Sequence, residues 1–142
     1  MELPESLISE SISENQIYFF TKKSSIGVQN HMHVCIKKKN KILIFATCTS
    51  QTSTVLKLAR YKNIDPNTFP CIKKSKTNGF TLDLTYVNCN NLTVISPDKF
   101  ADMIKNREIF FCEGELSDVE MQSIAKGVKL SIMVTKEIKD LF

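Results

Sequence analysis

No apolar stretch in the 142 residues approaches the roughly 20 needed to cross a bilayer, which argues against a membrane-spanning helix. The five cysteines, at 35, 48, 71, 89 and 112, include no Cys-x-x-Cys pair, and no acids cluster beside the histidines. Both absences argue against zinc or any other metal site. Residues 1–14 are acidic and Ser-rich and lack the basic start and apolar block of a secretory signal. With an odd, scattered set of cysteines, this predicts reduced thiols and a cytoplasmic location. Cys35 and Cys48 fall inside apolar runs and read as small buried hydrophobes. There is no internal repeat and no Gly/Ser- or Pro-rich linker, so the length fits one domain with a real core. Histidine is scarce: there are two, both in the run His31-Met32-His33-Val34-Cys35-Ile36.

The net charge of +4 hides an asymmetry. Residues 1–80 carry 12 basic and 5 acidic side chains, and residues 81–142 carry 7 basic and 10 acidic. Lysines gather at Lys22-Lys23, at Lys37-Lys38-Lys39 with Lys41, and at Lys73-Lys74 with Lys76. Such a half attracts polyanions in a salt-dependent way. The plainer reading is a solvated hairpin tip and loops.

Residues 16–20 are aromatic and β-branched and predict a first strand, followed by a polar loop over 21–30. Residues 31–37 and 41–48 predict a hairpin around Lys38-Lys39-Asn40. Alternation places His31, His33, Cys35 and Lys37 on one face and Met32, Val34 and Ile36 on the other, which reads as the core face. Residues 52–61 predict a short helix or irregular turn, and residues 68–73 an edge strand limited by Pro66 and Pro70. Residues 80–88 and 92–95 predict two further strands, interrupted by Cys89-Asn90-Asn91. Ser96-Pro97-Asp98 marks a helix start, and Ser117-Asp118-Val119-Glu120 is a capping box. In that last helix Val119, Ile124 and Val128 are expected on one face. A brief strand over 109–112 precedes it, and the tail near 136–141 reads as helical. Strands first and helices after predicts a mainly β chain: a small, strongly bent antiparallel sheet or barrel with appended helices. Residues 1–14 read as a frayed arm or short capping segment, 15–133 as the barrel with its helices, and 134–142 as a tail.

Two imidazoles on one face of a strand supply a base and an acid near neutral pH. The next strand ends in Thr47-Cys48-Thr49-Ser50-Gln51, whose hydroxyls suit hydrogen bonding to phosphate oxygens. The plain alternatives are surface histidines and hydroxyls that terminate a strand and cap the following turn.

The order of these pieces resembles the MazF/PemK-like toxins of bacterial toxin–antitoxin systems, over roughly residues 16–132. The resemblance rests on the strand Ile17-Tyr18-Phe19-Phe20, the polar loop before Val34-Cys35-Ile36, and the strand end Thr47-Cys48-Thr49-Ser50-Gln51. Later landmarks are Gly79-Phe80-Thr81-Leu82-Asp83 before Thr85-Tyr86-Val87, and Gly114-Glu115-Leu116-Ser117 leading into a helix. It implies an SH3-like barrel (the MazF, CcdB and Kid type), a homodimer, and a metal-independent endoribonuclease without cofactors. It also implies a cognate antitoxin whose flexible segment covers the RNA groove. The family's catalytic arginine matches His31 or His33 by position, and its catalytic threonine or serine matches Thr49 or Ser50. A histidine in place of arginine departs from the pattern, because arginine is always charged whereas histidine also moves protons.

The sequence-based expectation is cleavage of single-stranded RNA by its own 2′-hydroxyl. His31, His33, Thr49 and Ser50 are the catalytic candidates, and Lys22, Lys23, Lys37 and Gln51 the RNA-binding ones. Tyr18 or Phe19 is a candidate for base stacking, although at least two of Tyr18, Phe19 and Phe20 are expected in the core. The alternatives are a gyrase-targeting toxin of the same fold, acting through its C-terminal helix, and a non-catalytic RNA-binding or scaffold domain.

Overall fold

Six β-prone segments pair into one antiparallel sheet that curls into a half-barrel, in the order β4-β5-β3-β2-β1-β6. The structure is a computed structural model. It describes residues 10–24, 27–39, 41–61 and 63–142, with the side chains of 21–24, 27–30, 52, 54, 58 and 59 outside the description. The strands are β1 (Gln16–Ser24), β2 (Gly27–Lys39), β3 (Ile42–Thr49), β4 (Cys71–Lys73), β5 (Leu84–Ile95) and β6 (Ile109–Glu115). The helices are α1 (Thr52–Tyr61), α2 (Pro97–Lys105), α3 (Asp118–Leu130) and α4 (Lys136–Lys139), with a 3-10 turn over Pro66–Thr68. None of the described helices is long and apolar enough to cross a membrane.

The punctuation follows the local chemistry. Ser96 accepts a hydrogen bond from the Lys99 amide and Pro97 occupies the first turn of α2. Ser117 and Glu120 close the capping box of α3 in both directions. The segment read as a polar loop over 21–30 is instead strand on both sides. β1 and β2 stay paired out to Ser24 opposite Gly27, because a two-stranded ladder satisfies backbone groups that a loop would leave to water. β5 starts at Leu84, not at 80, because residues 74–83 form a loop that docks on β6 at the other end of the sheet order. The Glu115 amide donates to the Thr77 carbonyl at 3.0 Å. Gly79 (φ 69°) and Gly114 (φ 133°) meet there, and a Cβ on Gly114 would stand 2.3 Å from the Asn78 carbonyl oxygen. Only glycine fits that approach.

Both faces of the sheet carry a core. On one face Ile17, Val34, Ile36, Ile44, Ala46, Cys48, Val87 and Cys89 pack against Ile124 and Val128 of α3. The tail also packs on this face, through Ile138, Leu141 and Phe142. Val119 is 72% exposed, so it stands off the face it was expected to share with Ile124 and Val128. On the other face Tyr18, Phe20, Cys35, Leu43, Phe45 and Ile95 pack beneath Phe100 and Ala101 of α2. Ile12 joins this second cluster, and Lys38 Nζ donates to its carbonyl at 2.9 Å. The end of the expected N-terminal arm is therefore packed, and residues 1–9 lie outside the description. Alternation alone could not reveal the second core, because either face of a strand reads as solvent once the other is apolar.

Burial leaves the thiols of Cys35, Cys48 and Cys89 inert. Desolvation, with Glu14 nearby, pushes Cys35 up to about 12. Desolvation does the same for Cys48 and Cys89, also to about 12. Both clusters thus bear out the reading of Cys35 and Cys48 as buried hydrophobes. The unfolded chain ionises these thiols near 9.0, so it loses protons first as pH rises. Their stabilising effect is complete below pH 9 and is lost between about 9 and 12. The urea midpoint is expected to fall steadily from pH 9 to pH 11, and a constant or rising midpoint over that range contradicts the assignment.

Candidate active site cleft

The cleft is a place where pairing stops. β2 pairs with β3 only as far as His33 opposite Thr47, whereas β1 and β2 continue together beyond it. Extending the register by two residues would set His31 opposite Thr49, but the strands part there. The gap opens a cavity of about 690 Å³. Phe19, His31 and Met32 line it from the β1–β2 side, and Thr47, Cys48, Thr49, Ser50 and Gln51 from β3 and the turn after it. Val55, Phe69, Thr85 and Asn88 complete the wall. Three of the four residues expected to be catalytic, with Gln51, thus line one cavity.

The two histidines differ. His31 is exposed at the cleft. His33 is 8% exposed and lies flat on Phe20, the ring centroids 4.1 Å apart and the planes 18° from parallel. Its Nδ1 stands 3.1 Å from the His31 carbonyl oxygen, and its Nε2 3.2 Å from Thr47 Oγ1. A carbonyl oxygen only accepts, so Nδ1 carries the hydrogen. In the neutral ring Nε2 then accepts from the Thr47 hydroxyl, and in the charged ring it donates to it. The expectation that both imidazoles present themselves away from the packing is corrected: one ring is exposed and one is packed, because the second core reaches under His33.

The hydroxyls are positioned by the strand end. Thr49 Oγ1 accepts from the Gln51 amide at 3.2 Å, so its own hydrogen is the one directed elsewhere. This is also the turn-capping role that the hydroxyl run suggested in the sequence. Of the aromatics, Tyr18 is fully buried and Phe20 is 7% exposed. Tyr18 sits edge-on to Phe45 and Phe100, and burial raises its hydroxyl well above the ordinary value. Phe19 alone of the three reaches the cleft.

Lys37 is not part of this group. A bulge between Cys35 and Lys37 pairs Lys37 with Ile44, a residue of the α3-side core. Its ammonium stands 5.3 Å from the centre of the Phe142 ring, on the face opposite His33. One inserted residue reverses the parity of a strand, which is why alternation misplaced it. Lys22 and Lys23 belong to β1, and their side chains lie outside the described residues.

A second cavity, of about 540 Å³, shares His31, Thr47 and Asn88 with the first and adds Phe20, His33, Asn91, Thr93, Val94, Ile95, Lys99 and Met103. The sequence reading passed over Asn88, Asn91, Thr93 and Lys99. The signal for them was the Cys89-Asn90-Asn91 interruption, which is a bulge within one continuous strand. Ala46 pairs with Leu92 and Thr47 with Asn88, leaving three residues of β5 unmatched. Asn90 anchors the bulge on the far side, donating to Thr68 Oγ1 at 2.7 Å and accepting from Ser131 Oγ at 2.6 Å. Among the described residues no three metal-ligating side chains stand together.

No protein-family model matches the chain, and a search of curated proteins finds no significant match.

Proposed function

We propose that the chain is a metal-independent endoribonuclease toxin, similar to the MazF/PemK-like toxins and sharing their SH3-like barrel. The observation that supports this reading is the parting of β2 from β3, which sets His31 across an open cleft from the hydroxyl-bearing strand end. The basic N-terminal half that carries these residues favours a polyanionic substrate.

In this reading a single strand of RNA lies in the cleft with one phosphate between His31 and the Thr49–Ser50 corner. His31 takes the proton of the 2′-hydroxyl. The 2′-oxygen then bonds to phosphorus and the bond from phosphorus to the 5′-oxygen breaks. Thr49 and Ser50 donate to the non-bridging oxygens as charge builds there. The departing oxygen receives a proton from Thr47, which the charged form of His33 replaces through its 3.2 Å contact. His33 thus acts through Thr47 rather than on the RNA. Phe19 supplies a face for an unstacked base.

The resemblance carries a homodimer and a cognate antitoxin covering this groove. The gyrase-targeting alternative needs a presented C-terminal helix; in α4 Ile138 packs on the α3-side core while Lys136 and Glu137 are exposed. In EDTA the protein is expected to cut single-stranded RNA into fragments with 2′,3′-cyclic phosphate and 5′-hydroxyl ends. A single 2′-deoxy substitution at the cut site is expected to abolish that cut. Intact RNA, or cleavage unaffected by the substitution, contradicts the proposal.

A further inference from the structure

The cavity beneath α2 is continuous in its lining with the cleft, through His31, Thr47 and Asn88, yet of its remaining residues the cleavage step uses only His33. Its size is in the range of small-ligand sites. Phe20, Val94, Ile95 and Met103 give it apolar walls, and Asn88, Asn91, Thr93 and Lys99 give it neutral amides, a hydroxyl and one cation. Beyond the two histidines that the cleavage step uses, a phosphate would call for more charge, and a purely apolar ligand for fewer amides. A flat, neutral heterocycle with polar edges fits both.

The bulge in β5 makes this lining. In an unbroken strand Asn88 and Asn91 would point to opposite faces. The three unmatched residues restore them to the same side, where both line the cavity together with Thr93. The bulge also fixes the sense of the Asn88 amide. Its Oδ1 accepts from the Asn90 backbone N–H at 2.9 Å. A backbone N–H only donates, so the oxygen is engaged and the Nδ2 hydrogens are the group Asn88 offers to a ligand. Lys99 likewise only donates. The pair favours an edge with two adjacent acceptors over one with an acceptor beside a donor. In nucleobases that describes the O6 and N7 edge of guanine rather than the N6 and N7 edge of adenine.

We infer that this second cavity is a nucleobase pocket that selects guanine next to the cut, reading its acceptor edge with Asn88 and Lys99. The inference rests on RNA being the ligand of the neighbouring cleft and adds the base that is chosen.

The test is the affinity of the full chain for fluorescein-labelled 2′-fluoro hexanucleotides, which lack the nucleophile and stay intact. One oligonucleotide carries a single guanine among uracils and the other a single adenine. The guanine strand is expected to bind at least about tenfold more tightly. Asn88→Asp keeps the acceptor for the Asn90 amide and turns the offered donor into an acceptor, so it is expected to erase that preference. Lys99→Ala, at an exposed position in the first turn of α2, is expected to reduce it, and serves if Asn88→Asp does not fold. Equal affinity for the two strands, failure to bind either, or a guanine preference unmoved by both variants overturns the pocket, even if ordinary RNA is cut. A guanine preference sensitive to these variants in a protein that cuts no RNA upholds the pocket and removes the nuclease reading.

Discussion

Replacing His31 with alanine is expected to slow cleavage of single-stranded RNA by about a hundredfold or more, the usual contribution of a positioned acid or base. The side chain is exposed and belongs to neither core cluster, so the variant is expected to fold. It lines both cavities, at the point where β2 leaves β3. A base in the chemical step and a contact that merely holds RNA are distinguished by pH: removal of the base also removes one limb of the pH–rate profile, whereas loss of a binding contact raises KM and leaves the profile's shape. Thr47→Val tests the partner arrangement, because valine keeps the volume and deletes the hydroxyl that His33 Nε2 reaches. It is expected to lower kcat more than it raises KM. Wild-type kcat in the His31 variant, measured on folded protein, would leave the cleft without its proposed base.

The largest loss of stability is expected at Asn78, in the loop that joins the two ends of the sheet. The residue is 1% exposed, an unusual place for an amide. Its Oδ1 accepts from the Ser75 and Phe80 amides at 3.1 and 3.0 Å, and its Nδ2 donates to the Lys73 carbonyl at 2.9 Å. Its backbone carbonyl lies where Gly114 passes, so the same residue fixes the docking of the loop on β6. Asn78→Ala leaves two donors and an acceptor without their partner, the Phe80 amide buried and the Ser75 amide and Lys73 carbonyl part-buried. A buried group left so costs about 1–3 kcal/mol and a part-buried one less, so a total loss of roughly 3 kcal/mol follows. For a chain of this size that lowers the melting temperature by roughly 10 °C. Asn78→Asp keeps the two acceptor bonds and gives up the donor, and is expected to cost less. Calorimetry or thermal circular dichroism measures both, and a change of under 2 °C for the alanine variant contradicts the role of this loop as the clamp of the half-barrel.

Local chemistry was legible before any coordinates. The Ser96 and Ser117 caps and the edge position of Cys71–Lys73 stand where their residues predict, and of the two readings of Thr52–Tyr61, short helix or irregular turn, the helix holds. These features depend on neighbours in sequence. The mistakes concern how faces are assigned over distance. Lys37 lies on the side that strict alternation forbids, because it follows a bulge, and the break expected at Cys89-Asn90-Asn91 is a bulge as well. Bulges are built by remote partners, here Thr68 and Ser131 for Asn90, which a strand's own pattern does not display. His33 was expected at the surface because the β2 pattern shows one apolar face, whereas the second core owes its floor to Tyr18, Phe20 and Phe45 and its roof to Phe100. The histidine pair and the hydroxyl-bearing strand end were visible in the sequence. The different surroundings of the two rings, and the amide-lined cavity beside them, were not.

The most direct test of the cleft as the RNA site is a backbone amide NMR titration with a 2′-fluoro hexanucleotide that cannot be cut. Shift changes are expected to centre on His31, on Thr47 through Gln51, and on Asn88, with the outer strand β6 unchanged. Changes confined to β6 or to the lysines around Lys39 and Lys41, or no saturable change at all, would contradict the account.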